Sequence, residues 1–348
     1  MALFNNGYTK KTSIIPIFRF PELSVVFFFV LSGFLITYLL LNEKEKREIS
    51  VRAFYIKRVL RIWPLYFLII AASFIYFNQS PFFHWHGLTD IVTISNHPVL
   101  SAFLLLLISP NVLLLFTPAL GYASPTWSIG VEEQFYLMWP WIMKSKKPLF
   151  FIISIILIVH LLSNGILSTI SYPFSSTSIM YKILTTISTF FTFPYSFKID
   201  AMAIGALGAF AVKSRSAILP VVFSKSFQFI LYALFVLMFA SASSASYQFY
   251  SVIFILIILN MAINVKSIVN IQNKVLDYLG KISYGIYMFH ALTIIPSIYL
   301  VVKILRLEIS LISELLICFV SLSSTIIVAS ISYYFYESYF LRLKDKHL

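Results

Sequence analysis

From Leu23 to Leu41 the chain carries no charged side chain. That run approaches the roughly 20 apolar residues a helix needs to cross the hydrocarbon core of a bilayer. Comparable apolar runs recur at 62–77, 129–143, 149–163, 198–212, 227–241, 248–264, 282–302 and 311–336. Together they predict an all-α, polytopic integral membrane helical bundle of about nine transmembrane helices, since only internally hydrogen-bonded elements span lipid. The stretch 99–120 is also apolar, but Pro110 and Pro118 interrupt it. A second crossing there would put Lys144, Lys146 and Lys147 on the outer side, against the bias of basic loops toward the cytoplasm. It is therefore read as a re-entrant or interfacial segment, tolerated where protein or a wet cavity satisfies the freed backbone groups.

Charge orders the loops. Lys44, Lys46, Arg47, Arg52, Lys57, Arg58 and Arg61 oppose three glutamates between the first two runs, which marks that loop as cytoplasmic. Residues 78–98 have no Lys or Arg and are expected outside; 164–197, Ser/Thr-rich and then aromatic, are read as an outer loop with an interfacial helix. Lys213, Arg215 and Lys225 fall inside, as do Lys266, Lys274 and Lys281; Lys303 and Arg306 break the rule. The division that follows is a polar N-terminal segment (1–22), a membrane domain (23–341) and a basic cytoplasmic tail (342–348). Nine crossings with the tail inside put the N-terminus outside, although it carries Lys10, Lys11 and Arg19.

Composition agrees: 59% of residues are hydrophobic and 11% charged, against about 25% charged in soluble domains. The net charge of +13 sits in loops, so it marks orientation in a membrane and gives no reason to expect nucleic acid. A single cysteine, Cys318, excludes a disulfide framework within the chain. His84, His86 and His97 have metal-like spacing, but their loop is aromatic and reads as interfacial. No metal is expected. Residues 1–20 lack the apolar core of a signal peptide.

Several residues could carry chemistry. Ser32 and Gly33 are small residues inside the first run, suited to close helix approach. Arg58 and Arg61 share one helical face. They can anchor the helix by snorkelling, or hold a phosphate-bearing ligand, because guanidinium matches phosphate geometry. Glu132 and Glu133 lie in an apolar segment, where a carboxylate is costly and usually functional. Trp127 and Ser128 precede them, near the wall of a candidate cavity. His290 is mid-run and needs a polar partner, with Tyr284 and Tyr287 nearby. Asp200 reads as a helix cap, and Glu337 as a partner for a cytoplasmic arginine.

In order along the chain stand SGFLIT (32–37), FYIKRVLRIWPLYF (54–67), PTWSIGVEEQFYLMWP (125–140), KIDAMAIGALGA (198–209), YLGKISYGIYMFH (278–290) and YFYESYFLRLK (334–344). This set resembles the membrane-bound acyltransferase family 3, the O-acetyltransferases that modify bacterial surface glycans such as lipopolysaccharide and exopolysaccharide. The resemblance implies a multi-pass enzyme of the bacterial plasma (inner) membrane. It implies transfer of an acyl group, acetyl above all, from acyl-CoA to a hydroxyl of a cell-surface or lipid-linked carbohydrate. It further implies donor binding by Arg58, Arg61 and the Ser32-Gly33-Phe34 motif, and catalysis by Glu132 of W-S-x-x-x-E, with Trp127, Ser128 and Glu133 at the cavity. His290 is the other candidate base.

The chain departs from the family at one place. Family members usually open with a helix bearing a basic residue and, eleven positions on, a histidine. No histidine precedes His84 here. Arg19-Phe20-Pro21-Glu22-Leu23 runs directly into the SGF-bearing run, as though the first helix were lacking. The unpaired crossing parity points the same way. Two alternatives therefore stand beside the enzyme: a catalytically impaired or truncated member that binds a ligand or partner, and a transporter, which the ordered motifs disfavour.

Overall fold

The helix-breaking and helix-capping residues set the frame. In the computed structural model residues 21–73, 98–114, 120–163, 197–240, 245–308 and 310–346 are described. The expectations for His84, His86 and His97 and for 164–196 lie outside them. Every regular element among the described residues is helical: α1 (Pro21–Lys46), α2 (Val51–Ala71), α3 (Pro98–Leu106), α4 (Pro110–Leu113), α5 (Thr126–Lys144), α6 (Pro148–Ser163), α7 (Ile199–Lys213), α8 (Leu219–Val222), α9 (Lys225–Ala240), α10 (Tyr247–Ala262), α11 (Lys274–Ile298), α12 (Leu311–Ser332) and α13 (Ser338–Lys346).

Glu22 in the first turn of α1 and Lys44 and Lys46 in its last turn complement the helix dipole. Ser50 caps α2 by accepting from the Ala53 amide at 3.3 Å, and Asn273 caps α11 by accepting from the Val275 amide at 2.8 Å. Ser310 and Ser313 form a reciprocal capping box on α12. Between α3 and α4 the chain turns at Ile108, whose φ is 52°. Ser109 and Pro110 then restart the helix, so the stretch read as broken is two short helices.

Among the described residues three helical stretches are long and apolar enough to cross a membrane: Glu22–Lys46, Lys274–Ile304 and Leu311–Leu343. Shorter apolar helices are Pro148–Leu161, Lys225–Ala240 and Tyr247–Ala262. Large apolar side chains are left uncovered along them, such as Phe150, Ile153, Leu157 and Leu161 on α6 and Ile312, Leu315, Phe319 and Leu322 on α12. Uncovered apolar surface of that extent is what lipid would cover and water would not tolerate. The cytoplasmic loop expected before Ile62 is shorter than the charge pattern suggested. Residues 42–46 belong to α1 and 51–61 to α2, so Arg58 and Arg61 stand within a helix. Ser50 supplies the cap, and Ala53 and Phe54 bury the inner face beside the charges.

The helices gather in two units. The first comprises 50–134 and 271–348 and the second 15–49 and 135–270, the division falling within α5 between Gln134 and Phe135. In the first, α11 packs along α12, while α2 lies against α11 and α13. In the second, α1 packs along α7, and α6 and α10 also lie against α7. The α1–α7 crossing is a small-residue contact. A Cβ on Gly33 would stand 2.0 Å from the Met202 carbonyl oxygen, and one on Gly205 2.0 Å from that of Val30. Backbones that close admit only glycine at the two positions.

Candidate active site

The polar residues of the first unit converge on the N-terminal half of α5. The Thr126 hydroxyl donates to the Ala123 carbonyl at 2.7 Å and fixes the start of the helix. Ser128 and Glu132 follow four apart, on one face, and both are buried. The Tyr287 hydroxyl, from α11, lies 2.6 Å from the Ser128 hydroxyl and donates to the Pro125 carbonyl at 3.0 Å. One turn further along α11, His290 Nδ1 lies 2.5 Å from the Tyr287 carbonyl. Because a carbonyl can only accept, that bond places the proton on Nδ1 and leaves Nε2 as the basic nitrogen. Tyr287 therefore links the two candidate bases: its hydroxyl meets the Ser128 turn of Glu132, and its ring lies 5.5 Å from the His290 ring.

Glu133 receives a long hydrogen bond from Trp63 Nε1, at 3.4 Å. The Arg58 guanidinium lies 5.9 Å from the Phe54 ring centroid, a cation over an aromatic face. Arg61 is exposed. On the other side of α5, Gln134 and the buried Asn111 exchange two amide hydrogen bonds, at 3.0 and 3.2 Å. A Cβ on Gly130 would come within 2.3 Å of Asn111 Oδ1, so α4 rests directly on α5. The broken segment thus braces the carboxylate-bearing turns.

Of the residues singled out in the sequence, Arg58, Arg61, Trp127, Ser128, Glu132, Glu133 and His290 all fall in this unit. Ser32, Gly33 and Phe34 fall in the other. There the Ser32 hydroxyl lies 2.5 Å from the Tyr136 hydroxyl, Gly33 abuts Met202, and buried Phe34 stacks on Tyr38 with centroids 5.9 Å apart. Asp200 is in the first turn of α7, fully buried, and accepts from the Tyr247 hydroxyl at 2.8 Å. Sequence reasoning passed over Trp63, Tyr336 and the Asn111–Gln134 pair. Tyr284, Tyr287 and His290, three apart, did announce one polar face. Among the described residues no three His, Cys, Asp or Glu side chains gather as a metal site.

Apolar helices surround a set of buried and half-buried carboxylate, hydroxyl and imidazole groups, with arginines on an adjoining helix, the character of a membrane protein. The chain belongs to the acyltransferase family whose acyltransferase domain matches residues 3–334. It is 26% identical to the peptidoglycan O-acetyltransferase OatA of Listeria monocytogenes, over 93% of this chain and 53% of that protein. It thus spans about half the length of that relative. ORF330 of Acidianus two-tailed virus, provisionally named an acetyltransferase, is 26% identical over 83% of this chain and 78% of its own length. An uncharacterized Haemophilus influenzae protein is 32% identical over 42% of this chain and 61% of its own length. No solved structure matches the chain significantly.

Proposed function

We propose that the protein is a multi-pass acyltransferase of the bacterial plasma membrane that moves an acetyl group from acetyl-CoA to a hydroxyl of a cell-surface carbohydrate. The observation that carries the reading is the assembly, within one unit, of the α2 arginine face with the Glu132 turn and the Tyr287–His290 turn. Membership of the acyltransferase family supports it. The name of the Listeria relative directs attention to peptidoglycan as the acceptor class.

In this reading Arg58 and Arg61 grip the donor's phosphates. The acceptor hydroxyl oxygen attacks the thioester carbonyl carbon, the C–S bond breaks, and the sulfur leaves as CoA thiol with the proton given up by the hydroxyl. Glu132 carries that proton, with His290 Nε2 the alternative, and Ser128 and Tyr287 order the hydroxyls between them. Trp127 and Glu133 line the cavity. The Ser32-Gly33-Phe34 motif serves donor binding through the packing it secures. The nine-crossing arrangement, N-terminus outside and tail inside, places the arginines at the cytoplasmic face where CoA is found.

A second reading is a scaffold that binds the donor with little turnover. General acid–base help is worth roughly 10²- to 10⁴-fold. The full chain in nanodiscs, given radiolabelled acetyl-CoA and peptidoglycan fragments, should form an acetyl ester, and Glu132→Gln should cut that rate by about 10²-fold or more. Turnover unchanged in Glu132→Gln but abolished in His290→Ala would transfer the base role to His290. Donor binding without ester formation would favour the second reading.

A further inference from the structure

The helices α9 and α10 are each 16 residues long, about 24 Å at 1.5 Å per residue. The hydrocarbon core of a bilayer is about 30 Å thick. The chain that enters α9 (214–224) and the chain that leaves α10 (263–268) therefore fall at the boundary between acyl chains and headgroups. Irregular backbone at that depth is tolerated only where protein binds its polar groups. Three side-chain amides do so here. Gln228 Nε2 donates to the Phe223 and Lys266 carbonyls at 2.9 and 3.4 Å, and Gln228 Oε1 accepts from the Ile268 amide at 2.9 Å. Asn264 Nδ2 donates to the Phe223 carbonyl at 3.1 Å, and Asn260 Nδ2 to that of Val222 at 3.2 Å. Gln228 and Asn260 are fully buried. The network lies outside the candidate active site and ties the two segments together at one end of the α9–α10 pair.

The side chains those segments leave uncovered are of two kinds. Ile218, Val221, Val265 and Ile268 are exposed, Val265 wholly so. Arg215, Lys225 and Lys266 are exposed as well. Arg215 closes α7 in the left-handed region, with φ 50°. Lys213 pairs with Glu45 at 2.8 Å, but among the described residues no ion pair takes up the other three. Nor can a local one form, since no Asp or Glu occurs between 201 and 276. Exposed apolar side chains interspersed with cations mark elements that lie in a membrane interface. A second copy of the chain would bring the same positive charge to the contact, and a soluble partner would have to reach side chains at acyl-chain depth. An anionic phospholipid matches both the charge and the apolar surface.

We propose that 214–225 and 263–268 form a binding surface for anionic phospholipid of the adjoining leaflet. Arg215, Lys225 and Lys266 meet the headgroup phosphates, and the four apolar side chains sit beside the first methylenes of the acyl chains. Gln228, Asn260 and Asn264 keep the two segments in one arrangement, so that the cations are presented together. Such a surface requires that the chain spans a membrane and is independent of the acyl donor and acceptor.

The test reads lipid contact at one position. In the full chain carrying Cys318→Ser and Val265→Cys, a bimane label at 265 is exposed to brominated phosphatidylglycerol or brominated phosphatidylcholine in mixed vesicles, and its quenching is measured. A cation near an anionic membrane surface is worth about fivefold in affinity, so phosphatidylglycerol should be favoured at least about fivefold. Arg215→Gln/Lys225→Gln/Lys266→Gln, three changes at exposed positions, should bring the preference below about twofold. The same label at Leu237→Cys, an exposed position toward the other end of α9, should show little preference throughout. Equal quenching by the two lipids at 265, a preference that survives the triple change, or an equal preference at 237 would overturn the proposal. Absence of quenching by either lipid at 265 would do the same and give the surface to another protein chain. Loss of the preference on adding CoA would give the cations to the donor's phosphates and overturn the lipid site.

Discussion

Gly33→Ala separates packing from ligand contact at the SGF motif. The added methyl would begin 2.0 Å from the Met202 carbonyl oxygen, with the Met202 carbonyl carbon and Cα at 2.6 and 2.7 Å. All three are backbone atoms, so no side chain can rotate away. To reach even a tight contact of about 3 Å the two helices must part by roughly 1 Å, and overpacking of that kind costs about 1–3 kcal/mol. Alanine's better helix propensity returns at most about 1 kcal/mol; because only backbone atoms are met, the cost falls in the upper part of the range and leaves a net loss of about 1–2 kcal/mol. At about 2–4 °C per kcal/mol the melting temperature should fall by roughly 2–8 °C. Thermal unfolding can be followed in detergent by a thiol-reactive dye, because Cys318 is the single cysteine and is half-buried. Gly205→Ala, which meets Val30 from the other side of the crossing, should behave alike. Unaltered melting in both variants would refute the crossing. A loss of CoA affinity without any fall in stability would make Gly33 a ligand contact instead of a packing residue.

Thr37→Val should destabilise by about 1–3 kcal/mol in the same melt, because it leaves the buried Trp139 Nε1, now 2.8 Å from the Thr37 hydroxyl, without its acceptor; Thr37→Ser should be close to neutral. The proposed orientation predicts that, in Cys318→Ser cells, a cysteine at Ser243 reacts with an impermeant maleimide from outside and one at Lys346 does not; the reverse pattern would reject the nine-crossing arrangement.

The apolar runs were legible because lipid imposes one solution on every long uncharged stretch. The observed α1, α5, α6, α9 and α10 start within a few residues of the runs that predicted them. The prolines of 99–120 signalled a break, and the break is there at Ile108 to Pro110. The beginning of α2 was misjudged, since seven basic residues between two runs look like a loop when helical charge at a membrane surface looks the same. The candidate site was partly legible. An isolated carboxylate in an apolar run, such as Glu132 or Glu133, stands out through its solvation cost alone. Trp63, Tyr284 and Tyr336 do not, because an aromatic residue with a polar tip is ordinary at a membrane interface and its partner is distant in sequence. Tyr284 and Ile62, and Tyr336 and Pro64, are joined by the fold and by no local pattern. The π-helical turns Tyr299–Ile304 and Tyr333–Glu337 left no mark in the apolar periodicity either.

Those irregular stretches bear on how the candidate site is built. Pro64, the Ile108 turn and both π-helical turns all lie in the unit that holds Glu132, Glu133 and Glu337. A carbonyl freed from its helix inside hydrocarbon costs several kcal/mol unless something else binds it. Pro64 has no amide proton for the Leu60 carbonyl, while the Ile62 and Pro64 carbonyls beside it accept from tyrosine hydroxyls. A carbonyl oxygen has two lone pairs, so such a bond can be added to one the helix already makes. Tyr284 is one turn before Tyr287, and Tyr336 immediately precedes Glu337. The two carbonyls therefore serve as attachment points for α11 and the terminal turn, and tie the arginine-bearing helix to the elements that carry Tyr287, His290 and Glu337.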